Sequence, residues 1–226
     1  MLIQNNYFNS KTFSNRFAPI ARPSLSVNKS QIVNYGSQIS FSAREKYFYV
    51  QMSKKMAYAL RHKPEECGLK LDKNGFTSVD GVLGFLRSNK GFGDVTMQDI
   101  NDMMATLDKK RFELKDNNIR AYYGHSCLQK IEKIASKPPE VLYHGTSRMA
   151  AEKILNEGIT PQSRQFVHMS SDIETATKVG KRYDKTPVIL AIDTQKADRD
   201  GLKFYLGNQT TWLSEYIPPE YISILK

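Results

Sequence analysis

The hydrophobic and polar positions of this chain change their rhythm near its middle. From Ser53 apolar residues recur at helical spacing. Ser53 can cap a helix running to about His62, which Pro64 stops shortly after. Thr77 or Ser78 opens a second helix through VDGVLGFLRS, with Val79, Val82, Leu83 and Leu86 on one face. Thr96 and Asp99 make a capping box for a third helix, which buries Ile100, Met103, Met104 and Leu107. RFEL and IRAYY then alternate like short strands around Asp116-Asn117-Asn118, a hairpin pattern.

Residues 127–140, CLQKIEKIASK followed by Pro138-Pro139, read as a helix-like linker, and a domain boundary is expected there. Beyond it the pattern turns to strands. VLYHGTS is a strand ending in a polar turn. Residues 149–157 form a short helix that Gly158 ends. FVHMS is a strand, and Ser171 with Glu174 caps a helix to about Lys181. PVILAIDT, GLKFYL, TTWLSEYI and EYISIL are four further strand-like runs. The fold class is α+β, in two lobes at 46–126 and 141–226, after a flexible extension at 1–45. There is no internal repeat, and no Gly-rich dinucleotide or Walker loop.

Charge sharpens the division. The net charge is +10, but residues 1–52 carry six bases and one acid, residues 53–137 sixteen and eleven, and residues 138–226 eleven of each. The positive excess therefore belongs to the front of the chain. Three helices followed by a hairpin is winged-helix order, a common nucleic-acid-binding arrangement, and a basic front agrees with it; a plain solvated basic surface is the competing reading. No apolar run approaches the ~18 residues of a membrane span. The two cysteines, Cys67 and Cys127, form neither a disulfide framework nor a metal-ligand spacing, so a reducing, cytoplasmic setting is the default. The acid-free stretch before Glu45 fits an organellar transit peptide or a plain tail, and not a secretory signal.

All four histidines sit in chemically dense segments: LRHKP (His62), YGHS (His125), YHGTS (His144) and RQFVHMS (His168). Arg61 and His62 fall at a helix C-terminal end, where the dipole favours cations. A guanidinium offers a planar fork for two phosphate oxygens, and an imidazole donates to a third or moves a proton near neutral pH. The plainer alternative is a surface arginine beside a capping histidine. Arg111 opens a hairpin strand after two lysines, and Arg164 lies in a polar loop before FVHMS. In YHGTS, Gly145 removes a Cβ from the approach of a flat ligand, while Thr146 and Ser147 can bond ribose or phosphate. His168 and Ser170 share one face of the next strand. Each of these histidines alone also reads as a satisfied core residue. His125 is expected to be structural, or to bridge the lobes.

Taken together, LRHKP, the G-F-x-x-V-D run from Gly75 to Asp80, KKRFEL, IRAYYGHS, LYHGTS, RQFVHMS and FYLGNQTTWLSEYIPPEYI carry a resemblance. The chain resembles the NAD-dependent RNA 2′-phosphotransferase family from about Ser53 to Leu225. The resemblance implies a winged-helix RNA lobe and an ADP-ribosyltransferase-like NAD lobe. It implies catalysis by Arg61, His62, Arg111 and Arg164, and NAD+ contacts from His144, Gly145, Thr146, Ser147, His168, Ser170 and Asn208. The implied partners are an RNA with an internal 2′-phosphate and NAD+ as co-substrate, and no metal is expected. No membrane partner is expected, and a monomer is the simplest reading of a sequence that is silent on oligomeric state. In the implied reaction the RNA 2′-phosphate attacks C1″ of the NAD+ ribose and nicotinamide leaves. The 2″-hydroxyl then attacks phosphorus, freeing RNA with a 2′-hydroxyl and ADP-ribose 1″,2″-cyclic phosphate.

The chain departs from the family pattern at two places. Tyr122-Tyr123 stand where the family commonly reads Asn-Gln. Gly207 stands for a serine, Asn208 is offset, and Thr210-Thr211 replace Gly-Val. Two competing functions are an ADP-ribosyltransferase that stops after the first step, on a nucleic-acid phosphate end or a protein, and a non-catalytic nucleic-acid binder.

Overall fold

The computed structural model describes residues 42–225. Most of the 1–45 extension, and the address suggested for it, lie outside the described residues. The first helix, α1 (Ala43–Arg61), begins eleven residues before the expected start, inside that extension. Ser42 caps it in a reciprocal box with Glu45. The apolar stripe explains the extra length, because Phe48, Tyr49, Met52, Met56, Ala59 and Leu60 are all buried. Ser53 is thus a buried mid-helix residue and not a cap.

A two-residue strand, β1 (Thr77–Ser78), leads into α2 (Val79–Arg87), whose cap is Ser78 and whose buried residues are the four expected. The capping box of Thr96 and Asp99 opens α3 (Met97–Thr106). The hairpin is β2 (Phe112–Lys115) and β3 (Asn118–Ala121). Its turn is Asp116-Asn117, both at positive φ (48° and 57°), the conformation that tight hairpins require and that Asp and Asn tolerate. β1 adds to β3, giving the order β1-β3-β2.

The segment 127–140 is not helical. In a helix Leu128, Ile131 and Ile134 would share one face, but Leu128 is fully exposed and Ile134 nearly so. Only Ile131 is buried. The chain instead runs extended and is pinned on both sides: Glu132 N–H donates to Lys73 O (2.8 Å) and Ser136 N–H to Phe204 O (2.8 Å).

The remainder contains β4 (Val141–Thr146), α4 (Arg148–Glu157), β5 (Val167–Ser170), α5 (Ile173–Gly180), β6 (Val188–Asp193), α6 (Thr194–Arg199), β7 (Tyr205–Leu206), β8 (Thr211–Ser214) and β9 (Ile222–Ile224). The strands form one antiparallel sheet in the order β7-β8-β5-β4-β6-β9. Three local expectations change. Asp172 caps α5 through Thr175 N–H, while the Ser171 N–H is engaged by Thr210 O. Asp193 caps α6, which the strand-like PVILAIDT run had hidden. GLKFYL shrinks to the two residues of β7.

The fold is α+β, with two hydrophobic cores. One packs α1, α2, α3 and the hairpin around Met52, Met56, Leu86 and Ile100. The other packs the six-stranded sheet around Leu142, Met169, Ile192 and Phe204. Among the described residues no helix is long and apolar enough to cross a membrane.

Candidate active site

The last residue of α1 is the starting point. The Arg61 carbonyl accepts from Ser126 N–H (2.8 Å) and Cys127 N–H (3.0 Å), so the YGHS segment wraps the helix end and satisfies one of its free carbonyls. The guanidinium points into the seam between the two cores and lies over the Tyr123 ring, 5.3 Å from its centroid. Its Nε and Nη2 are buried and have no hydrogen-bond partner. Burial lowers its pKa to about 10, Tyr123 acts in the opposite sense, and Arg111 and Arg164 lower it further. The group stays charged at neutral pH.

Arg164 comes from the loop before β5 and donates through Nη1 to Gly124 O at 2.6 Å. Gly124 has φ +90°, and a Cβ there would stand 2.5 Å from Arg164 Nη1 and 3.4 Å from Arg61 Nη1. Glycine is required on both counts, and the two guanidiniums close on its backbone. Arg111 approaches from the start of β2, with Nη1 3.4 Å from Ser53 Oγ on α1. His62 holds Ser126 Oγ at 2.7 Å through Nδ1. Its pKa is pushed down by burial first, then by Arg164 and Arg61. No carboxylate is among the charged neighbours that shift Arg61 or His62. The structure therefore brings Arg61, His62, Arg111 and Arg164 into one electrostatic neighbourhood.

The back half supplies two histidines on adjacent strands. His144 on β4 donates from Nδ1 to His168 O at 2.9 Å, since a carbonyl can only accept. Burial lowers the His144 pKa, with that bond opposing. His168 on β5 is lowered to about 4 by burial, then by Arg164 and Arg61. Both rings are neutral at pH 7. His168 Nε2 is buried without a partner, and its ring meets Tyr123 edge-on at 5.7 Å.

The other residues singled out in the sequence are placed as follows. A Cβ on Gly145 would fall 1.9 Å from Ala176 O, so the missing side chain serves the close packing of α5 on β4. Ser147 Oγ is engaged as the cap of α4. Thr146 and Ser170 are buried. Asn208 accepts from Thr210 and Thr211 N–H and donates to Lys110 O and Tyr123 Oη, which makes it a brace across the seam. His125 is buried, and its carbonyl accepts from Gln165 N–H at 3.0 Å.

Sequence reasoning missed Gln165, whose amide stitches the halves together. Its Nε2 donates to Cys127 O and Gln129 O, and its Oε1 accepts from Ile131 N–H. It also missed Ser126 and Gly124. The only hint was their place inside YGHS, next to a segment already marked by its arginine and histidine.

Three guanidiniums and an imidazole share one seam in which Arg61 Nε and Nη2 are unpartnered, a donor set whose chemistry suits a multiply charged anion such as a phosphate. A family model described as RNA 2′-phosphotransferase, Tpt1 / KptA family, matches residues 49–216. Curated relatives named "Probable RNA 2′-phosphotransferase" are similar over nearly their whole length. The protein from Bacillus thuringiensis subsp. konkukian is 49% identical over 179 residues, covering 79% of this chain and 97% of the relative. That from Acetivibrio thermocellus is 47% identical over 174 residues, 77% of this chain and 96% of the relative. The chain belongs to the RNA 2′-phosphotransferase, Tpt1 / KptA family, and it is an enzyme, a transferase.

Proposed function

We propose that this enzyme removes an internal 2′-phosphate from RNA by transferring it to NAD+, with nicotinamide and ADP-ribose 1″,2″-cyclic phosphate as co-products. One observation carries the reading. Arg61 keeps Nε and Nη2 buried and unpartnered beside Arg111, Arg164 and His62. An unsatisfied buried donor costs about 1–3 kcal/mol, and more when charged, so such a group is costly without a ligand. A phosphate monoester dianion satisfies it, because two parallel N–H groups match two phosphate oxygens.

In this reading Arg61 grips the phosphate through its free edge, and Arg164 and Arg111 neutralise the remaining non-bridging oxygens as charge redistributes. His62, neutral and fixed by Ser126 at Nδ1, has Nε2 left to orient the phosphate or to protonate the departing RNA oxygen. On the other side of Tyr123, the unpartnered His168 Nε2 fits a polar co-substrate, with the His144 ring held against the His168 carbonyl. NAD+ bound there supplies the sugar that receives the phosphate.

The same reading assigns the front, 46–126, to a winged-helix-like RNA lobe, in keeping with the order α1-β1-α2-α3-β2-β3 and the basic charge. It assigns 141–226 to an ADP-ribosyltransferase-like NAD lobe, with His144 and His168 on neighbouring strands. The test is direct. The protein is incubated with NAD+ and an RNA bearing one internal 2′-phosphate, and both nicotinamide and the RNA are followed. Release of nicotinamide with conversion to a 2′-hydroxyl is expected. Phosphate that stays on the RNA overturns the proposal, and a lasting ADP-ribosyl adduct points to a transferase that stops at the first step.

A further inference from the structure

Tyr123 stands at the centre of the seam and takes no part in the steps above. Its ring lies under the Arg61 guanidinium at 5.3 Å and meets His168 edge-on at 5.7 Å, with the planes 63° apart. Its hydroxyl oxygen accepts from Asn208 Nδ2 at 3.4 Å, and the same amide reaches Lys110 O at 3.2 Å. One aromatic side chain thus touches the front-half arginine with free donors, the back-half histidine with an unpartnered nitrogen, and the loop after β7.

That loop is shaped to the ring. A Cβ on Gly207 would stand 3.2 Å from Tyr123 Cδ1 and 2.9 Å from Thr211 O. Gly207 is not among the positive-φ glycines, so space and not backbone conformation excludes a side chain there. Tyr123 and Gly207 are therefore close neighbours. A bulky ring on one side is matched by the absence of a side chain on the other.

The Arg61 guanidinium also needs something to hold it. A carboxylate would fix it but would consume the N–H groups that an anion requires. An aromatic face attracts the cation while leaving every N–H free. We propose that Tyr123 is a positioning residue, one that fixes the Arg61 guanidinium for phosphate, and that Gly207 is the space this ring requires. The proposal rests on the reading of the seam as a 2′-phosphate site.

The test compares binding of an RNA oligonucleotide carrying one internal 2′-phosphate with its 2′-hydroxyl counterpart, in the absence of NAD+. The full chain is measured beside Tyr123→Phe, Tyr123→Leu, Tyr123→Gln, Gly207→Ser and the Tyr123→Gln/Gly207→Ser double variant. The parent prefers the phosphorylated RNA. Tyr123→Leu loses on the order of tenfold of that preference, and Tyr123→Phe, which keeps the face and loses only the Asn208 bond, about two- to threefold. Gly207→Ser costs more in the parent, beside the tyrosine ring, than in the Tyr123→Gln background, where a smaller amide leaves room. The contact with Thr211 O is common to both backgrounds and cancels.

Undiminished preference in a folded Tyr123→Leu, or strictly additive effects in the cycle, overturns the proposal. Should Tyr123→Leu melt far below the parent, the cycle decides alone by the same criterion. A parent with no preference for the phosphorylated RNA defeats the phosphate-site reading itself, a result distinct from the other two.

Discussion

The two halves of this molecule handle charge in opposite ways. In the back half, acids and bases balance, and Lys153–Glu157 and Lys178–Glu174 pair on exposed helix faces at i,i+4. Such pairs contribute little to stability. The front half carries an excess of base, and at the seam it brings Arg61 and Arg111 close to the back half's Arg164, with no carboxylate among the charged neighbours that shift Arg61. Like charges are held together there by backbone: the end of α1, the start of β2 and the Gly124 carbonyl. The contrast teaches that the seam gathers like charges without acidic partners, which is what the proposed phosphate site requires, whereas those helix faces of the back half neutralise their own charge.

The sharpest way to break the contrast is to remove its centre. Arg61→Ala is expected to reduce 2′-phosphate removal by about a thousandfold or more, because its fork and the charge at the seam go together; removing a single fixed donor costs about 10²–10³. Rate measurement with a melting curve checks this, and near-parental turnover in that variant would take Arg61 out of the site. Arg164→Lys keeps the charge but loses the planar fork and the Nη1 bond to Gly124 O, and a loss of about a hundredfold is expected in the same assay.

Gly124→Ala tests whether the backbone sets the spacing of the arginines. The positive φ and the overlap with Arg164 Nη1 predict a loss of about 1–3 kcal/mol in stability and at least roughly tenfold in rate. A variant as active and as stable as the parent would show that Arg164 finds the phosphate by itself.

Gln165→Ala sharpens the comparison by loosening the seam without touching the charges. Three hydrogen bonds to 127–131 are lost, and the denaturant midpoint should fall by an amount equivalent to about 1–3 kcal/mol.

A further effect is a pH slope shared by both halves. His125, buried in the front, has its pKa lowered to about 3, chiefly by burial and then by Lys133; His168, in the back, is lowered to about 4. A histidine whose folded pKa lies below its unfolded value of about 6.5 binds fewer protons when folded. Stability is then full above about pH 6.5 and falls with pH toward the folded values, by up to about 1.4 kcal/mol per unit for each group. Urea titrations from about pH 7 to about pH 5 should show this slope, and His125→Gln should reduce it. A flat profile would mean that the two rings are more accessible to protons than their burial implies.

Where the expectations from sequence succeeded and failed follows one rule. Local signals were legible: Ser78 at the cap of α2, the Thr96–Asp99 box, the Asp-Asn turn and Gly158 all fell where short-range chemistry put them. The caps of α5 and α6, Asp172 and Asp193, are local signals that the expectations missed, and the larger failures needed a distant partner. α1 reaches back to Ser42 because Phe48 finds Phe92 to stack on, at 5.1 Å. The 127–140 run looks amphipathic, but both cores bind it as extended chain, and among the described residues no third surface buries its helix face. Gly145 had a plausible ligand role in the sequence, and only the position of α5 showed why a Cβ is excluded.

The amino-acid sequence by itself determined the α+β class, the basic front, the order of motifs and the identity of the arginines and histidines, because these depend on residue types and short spacings. Tertiary structure alone decided that Arg61, Arg111 and Arg164, far apart along the chain, share one seam. It also decided that Tyr123, Asn208 and Gln165 hold that seam together. The physical reason is range: caps and turns are settled within a turn of chain, whereas three guanidiniums from distant segments meet only when the two cores pack against each other.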